Sequence, residues 1–153
     1  MYAQDNLIAL NRNLSFTQDK KFLEAFEQNV HSLPEKSTLW RIHTLAWAAR
    51  HCLNVPGDFV ECGVWRGFSF GVLTEYLDWG FVPKTLYLYD TFESIPESYN
   101  SEKRSNNRYQ SEPDLYDKVV KRFSKFPNVN LVKGIVPDSF EKRMSREDFA
   151  AAH

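Results

Sequence analysis

Residues 58–69 read DFVECGVWRGFS, and this stretch decides the fold. Phe59 to Cys62 is short, apolar and β-prone, so it reads as a buried strand, and the Gly63 to Gly67 segment breaks it into a turn that opens a helix. Gly63 and Gly67 let the backbone turn sharply and approach a ligand with no Cβ in the way. The start of the following helix offers unpaired N–H groups. A second acidic residue, Asp90, ends the next apolar run, Thr85 to Tyr89. It lies 23 residues after Gly67, close to the roughly 20 that separate a glycine turn from a ribose-gripping carboxylate in a βαβ unit. The pattern is that of a strand–turn–helix holding a nucleotide-like cofactor.

Working outward, Thr17 to His31 carries Phe22, Phe26 and Val30 at helical spacing. Pro34 interrupts, and Ser37 or Thr38 can cap a second helix running to about Leu53. Ser69 to Leu77 continues as a helix after the glycine turn. Asp114 to Phe126 is a further one, with Leu115, Val119, Val120 and Phe123 inward. Strands are expected at Phe59 to Cys62, Thr85 to Tyr89 and Val129 to Val132, and a fourth around Phe149 to His153. The segment from Glu93 to Pro113 has almost no aliphatic residue. Its length suits a functional, lid-like loop.

Within this frame, Glu61 ends a buried strand and needs a donor there, either a ligand cation, ordered water, or a salt bridge with Arg66 or Arg41. Asp90 at a strand C-terminus can accept from both hydroxyls of a ribose, or it can cap a helix. The dinucleotide pattern G-x-G-x-x-G is not met, because Trp65 and Phe68 stand at its second and third glycines, so a pyrophosphate fits poorly. Cys62 reads as a small buried side chain, with nothing in sequence to lower its pKa. No two histidines stand at metal-ligand spacing on one helical turn.

The words PGDFVECGVWRG at Pro56 to Gly67, YDTFESIPE at Tyr89 to Glu97 and VNLVKG at Val129 to Gly134, with Arg41 and Leu45 before them, resemble the macrocin O-methyltransferase family. The resemblance covers roughly residues 34–140. It implies an α/β, Rossmann-like methyltransferase fold: a parallel sheet with helices on both faces, cut short here after about three strands. It divides the chain into an N-terminal helical segment, 1–33, and the first part of an S-adenosylmethionine-binding domain, 34–153, with 93–113 as the lid-like loop. It implies S-adenosylmethionine as cofactor, a hydroxyl acceptor on a small molecule such as a sugar or natural-product glycoside, and a divalent metal, Mg in the full-length family. Metal ligands and catalytic base are expected beyond His153, so no catalytic residue is named.

On the same resemblance, the turn Glu61, Cys62, Gly63, Val64, Trp65 and Gly67 faces the methionine part of the cofactor. Trp65 departs from the commoner glycine-rich methyltransferase turn but belongs to this family's pattern. Asp90, Thr91, Phe92 and Glu93 contact adenosine, although Phe92 also suits a core position. Gly134 and Asp138 follow near the adenine, and Lys36 and Ser37 meet the cofactor's amino-acid end.

The chain has 19 basic and 20 acidic residues and a formal net charge of −1, so no field draws in nucleic acid or an anionic membrane. Two cysteines make neither a disulfide framework nor a zinc site. No apolar run approaches the roughly 18 residues of a membrane span, and the N-terminus lacks a signal-peptide pattern. A cytoplasmic enzyme is expected, with self-association through an unpaired sheet edge. Two other classes stay open: a noncatalytic remnant or partner-dependent binding module, and a Rossmann-like oxidoreductase, against which the missing G-x-G-x-x-G argues.

Overall fold

A computed structural model describes residues 1–5, 7–93 and 112–140. The fourth strand expected at Phe149 to His153, and nearly all of the polar segment after Glu93, fall outside them. The chain forms two compact units, Met1–Gly57 with Gly67–Pro83, and Asp58–Arg66 with Lys84–His153.

The first unit opens on an antiparallel hairpin, β1 (Tyr2–Gln4) and β2 (Leu7–Ala9), which the sequence pattern did not announce. Three helices follow: α1 (Lys20–Asn29), the short α2 (Leu33–Ser37) and α3 (Leu39–Cys52). After the excursion into the second unit comes α4 (Phe68–Tyr76). The expected helix 17–31 begins later than its apolar spacing suggests. Ser15–Gln18 is a separate 3-10 turn, and Asp19 caps α1 by accepting from the Phe22 amide at 3.0 Å. Pro34 does not interrupt but sits in the first turn of α2, where its missing N–H costs nothing. Ser32 caps that turn, and Glu35 reaches back to accept from the His31 amide at 2.8 Å.

An aromatic cluster fills this unit. Phe16 stacks on His43 with ring centres 4.3 Å apart and meets Trp40 edge-on, while Phe22 meets Tyr76 and Phe26 meets Phe68 at 5.6 Å each. The Tyr76 hydroxyl donates to Asp19 Oδ2 at 2.8 Å and accepts from Arg50 Nη1 at 2.9 Å. One side chain thereby ties the ends of α1, α3 and α4 together. The hairpin is held by Asp5, which takes both Nε and Nη2 of Arg41, and by Tyr2, whose hydroxyl accepts from the Trp40 amide.

The second unit is a three-stranded parallel sheet, β3 (Phe59–Cys62), β4 (Leu86–Asp90) and β5 (Val129–Lys133), in the order β3-β4-β5, with α5 (Leu115–Phe123) before the last strand. Phe59 pairs with Leu86 and Leu86 with Val129, so the three strand ends Cys62, Asp90 and Lys133 fall at one edge. The central strand is the most apolar, and Leu86 and Leu88 are fully buried. At the β3 edge, Val60 is 54 % exposed and Cys62 is exposed as well, against the buried position its composition suggested. In α5 Leu115, Val119 and Phe123 form one buried stripe, with Asp117 in the first turn and Lys121 and Arg122 in the last, as the helix dipole favours.

Asp19 Oδ1 and Oδ2 both receive donors, so replacing it should cost the first unit more than an exposed cap does. Burial pushes its carboxyl up, but the Phe22 amide, the Tyr76 hydroxyl and the Arg50 charge outweigh this and leave it below the usual value. A lowered carboxyl stabilises the fold above the ordinary carboxylate range and loses that contribution as pH falls through the lowered value. We expect Asp19→Ala to lose about 2 kcal/mol and Tyr76→Phe about 1 kcal/mol. Urea denaturation checks both, and the Asp19→Ala deficit should shrink in strong acid.

Candidate functional site

The candidate residues of the second unit meet where β3 and β4 end. The backbone there enters the left-handed region repeatedly: Gly63 has φ 91°, Trp65 46° and, after β4, Phe92 52°. For glycine this is free. For tryptophan and phenylalanine it costs on the order of 1–2 kcal/mol each. Asp90 is what holds them. Its Oδ2 accepts from the Trp65 amide at 2.7 Å and its Oδ1 from the Phe92 amide at 2.8 Å, and the side chain is only 6 % exposed. Thr91 Oγ1 also lies 3.4 Å from Oδ1, while Oδ2 keeps a second lone pair for a further donor.

The backbone completes the joint. The Gly63 amide donates to the Tyr89 carbonyl at 2.8 Å, and the Gly134 amide to the Asp90 carbonyl at 2.9 Å, so each outer strand is tied at its end to the central one. Thr91 Oγ1 donates to the Glu93 carbonyl at 2.9 Å and closes the tight turn after β4. Phe92 is buried, against Tyr116 at 5.1 Å. Val64 is buried and Asp138 exposed.

Glu61 is the electrostatic anomaly. Its Oε2 is buried with no hydrogen-bond partner among the described residues. Desolvation, with the negative charge of Asp90 nearby, pushes its carboxyl up to about 8. Neither arginine suggested as its partner takes that role: Arg66 pairs with Glu112 and lies over the Trp65 ring, while Arg41 pairs with Asp5. Lys133 pairs with Glu93 and stands over Tyr116. Trp65 Nε1 is likewise buried without a partner. Near the end of β3 the described residues thus present an unanswered acceptor on the strand, Glu61 Oε2, and an unanswered donor in the turn after it, Trp65 Nε1.

Of the remaining residues expected in the site, Lys36 and Ser37 lie on α2 in the first unit, where Ser37 donates its hydroxyl to the Pro34 carbonyl. Gly67 precedes α4 and belongs to that unit too. Reading the sequence missed Glu112 and Tyr116, which stand against Arg66 and Phe92. Glu112 lies in a polar run with no pattern to single it out, and Tyr116 falls outside the apolar stripe of its helix. Among the described residues no group of three His, Cys, Asp or Glu side chains is placed to hold a metal ion, and no helix is long and apolar enough to cross a membrane.

The macrocin-O-methyltransferase (TylF) family profile matches residues 36–150, and the chain belongs to this family. In fold it is similar to the O-methyltransferase NovP, with a TM-score of 0.50 and 21 % identity over 69 % of this chain. It spans about half of the NovP chain, 49 %. No curated protein sequence matches it. The parallel α/β arrangement expected from residues 58–90 is therefore the one found.

Removing the Asp90 carboxylate leaves two amides without acceptors at two strained residues. We expect Asp90→Ala to destabilise the chain by about 3–4 kcal/mol, read as a lowered denaturation midpoint. Glu61 works in the opposite sense. Its raised carboxyl makes the folded state hold a proton that the unfolded state has released, so its contribution is complete below the ordinary glutamate range and fades as pH rises towards about 8. Glu61→Gln should therefore gain on the wild type with rising pH, by about 3 kcal/mol between roughly pH 5 and pH 8. Parallel denaturation curves across that range measure the gap.

Proposed function

We propose that the protein is an S-adenosylmethionine-dependent O-methyltransferase acting on a hydroxyl of a small molecule, a sugar or natural-product glycoside, and that the β3–β4 end of the second unit holds the cofactor. Membership of the macrocin-O-methyltransferase family supports methyl transfer to oxygen. The observation that carries the cofactor reading is the buried, partnerless Glu61 Oε2 one residue before the end of β3. A carboxylate in that position fits an ammonium group, and the cofactor's amino-acid end carries one.

When bound, S-adenosylmethionine supplies an electrophilic methyl group on a sulfonium that is already a good leaving group. The chain's share of the work is then alignment, since fixing donor and acceptor in line supplies much of the rate. Glu61 would anchor the ammonium. Asp90 holds the turns after β3 and β4 through the Trp65 and Phe92 amides, and the free lone pair of its Oδ2 would accept from a ribose hydroxyl. Phe92, fixed from below by Asp90 and packed on Tyr116, gives the adenosine side of the site a rigid apolar wall. The divalent metal implied by the resemblance finds no ligand set among the described residues, and no step is assigned to it.

Trp65 argues against a dinucleotide. Its bulky side chain and left-handed backbone stand where a pyrophosphate-binding turn has a glycine.

Calorimetric titration with S-adenosylhomocysteine, with NAD as control, tests this reading. Saturable binding of the first at about one per chain, and none of the second, is the expected result. A folded chain that binds neither would overturn it and leave a noncatalytic remnant or a partner-dependent module as the better account.

A further inference from the structure

Two carboxyl groups stand at or one residue before the ends of neighbouring strands of the second unit, and their circumstances differ. Asp90 has a backbone donor on each oxygen. Glu61 has a buried oxygen with no donor at all. The charged groups of the elements around them are already engaged. From the turn, Arg66 pairs with Glu112; from β5, Lys133 pairs with Glu93. No described histidine belongs to this unit. Among the described residues, Glu61 is thus the one strand-end carboxyl answered neither by a cation nor by a backbone amide.

A buried carboxyl without a donor has two ways to avoid an uncompensated charge: it keeps a proton, or it receives a cation. We propose that Glu61 is the residue by which this site selects a ligand amine, holding a proton until the ligand's ammonium displaces it, so that cofactor uptake releases one proton to solvent. This rests on the methyltransferase reading given above. The exchange balances simply. The Glu61 O–H bond breaks, its proton passes to the buffer, and the ligand's ammonium, protonated before it enters, supplies the replacing charge.

Two consequences separate this from an ordinary polar contact. Affinity for an amine-bearing ligand rises with pH below the Glu61 titration, because less proton has to be expelled. That titration is raised by desolvation and by Asp90 to about 8, so nearly a full proton is at stake near neutrality. A ligand of the same shape that lacks the amine gains nothing from deprotonating Glu61 and should bind with no proton release.

The experiment is isothermal titration of the full chain with S-adenosylhomocysteine at neutral pH in phosphate and in Tris, buffers that differ widely in ionisation enthalpy. The difference in observed heat counts the protons released, and about 0.9 per ligand is expected near pH 7 from a carboxyl that titrates near 8. Glu61→Gln, which mimics the protonated side chain, should fold normally, bind at least about ten-fold more weakly, and release none. Equal heats in both buffers with wild-type binding intact would overturn the proposal while leaving the cofactor reading standing. If S-adenosylhomocysteine does not bind at all, that reading fails instead. A carbon-13 carboxyl titration of the ligand-free chain then decides separately, since a Glu61 midpoint in the ordinary carboxylate range overturns the proposal.

Discussion

The second unit depends on one carboxylate. Asp90 ends the central strand, and its two oxygens reach in opposite directions along the chain, to an amide in the turn after β3 and to an amide in the turn after β4. Both amides belong to large aromatic residues in a backbone conformation that L-residues avoid. Either turn alone would relax to an ordinary φ, and together they are fixed because the same buried anion requires both. A charged acceptor suits the task, since hydrogen bonds to an ionised oxygen are roughly twice as strong as neutral ones. The strain and its restraint sit at the C-terminal end of a parallel sheet, where ligands of open α/β folds bind.

This arrangement explains why a glycine-poor turn can replace a glycine-rich one. The commoner methyltransferase turn uses glycine at alternate positions because the backbone must go left-handed there. Gly63 and Gly67 keep that economy, and the middle position carries Trp65 with φ 46°. Trp65 thus takes a left-handed conformation although it is not a permissive residue. What the tryptophan adds is a flat surface under the Arg66 guanidinium, 4.5 Å from its ring, and Arg66 in turn reaches Glu112 just ahead of α5. One unfavourable torsion is exchanged for a connection between the turn and the helix.

The parallel sheet was legible in the sequence because each strand announced itself: a short apolar run, a glycine or an acidic residue at its end, and a helical stretch before the next. Phe59 to Cys62 was read to the residue, and the other two differ by one position at their ends. The hairpin Tyr2–Gln4 with Leu7–Ala9 was not legible, since three-residue strands have too few positions for alternation to show, and Tyr2 earns its place by a hydrogen bond to Trp40, far away in sequence. Pro34 was misread because proline ends a helix when it falls inside one and starts a helix when it falls in the first turn. The residues around Asp90 and Glu61 were legible as chemical types. Their partners were not, because Arg66 had several acidic residues within reach of a plausible pairing and only the packed chain chooses Glu112.

The contrast between the two acidic strand ends follows from register. Parallel pairing places Cys62 opposite Tyr89, so Glu61 falls one step back from the sheet end and Asp90 one step beyond that pair. The advanced position lets Asp90 meet the amides of both turns. The recessed one leaves Glu61 between strand and turn, within the field of Asp90 but beyond reach of any amide. A shift of one residue in the β3–β4 pairing would turn the side chains of the slipped strand to the opposite face. It would carry the Trp65 amide away and leave Asp90 only the local Phe92 amide. The partnerless state of Glu61 is therefore tied to the same register that satisfies Asp90, and a substitution that only exchanged the two acidic side chains for other polar groups would disturb both at once. Satisfaction of one carboxylate and frustration of its neighbour are two results of a single strand alignment, which is why the unanswered carboxyl oxygen belongs to the site and not to an incidental fault in packing.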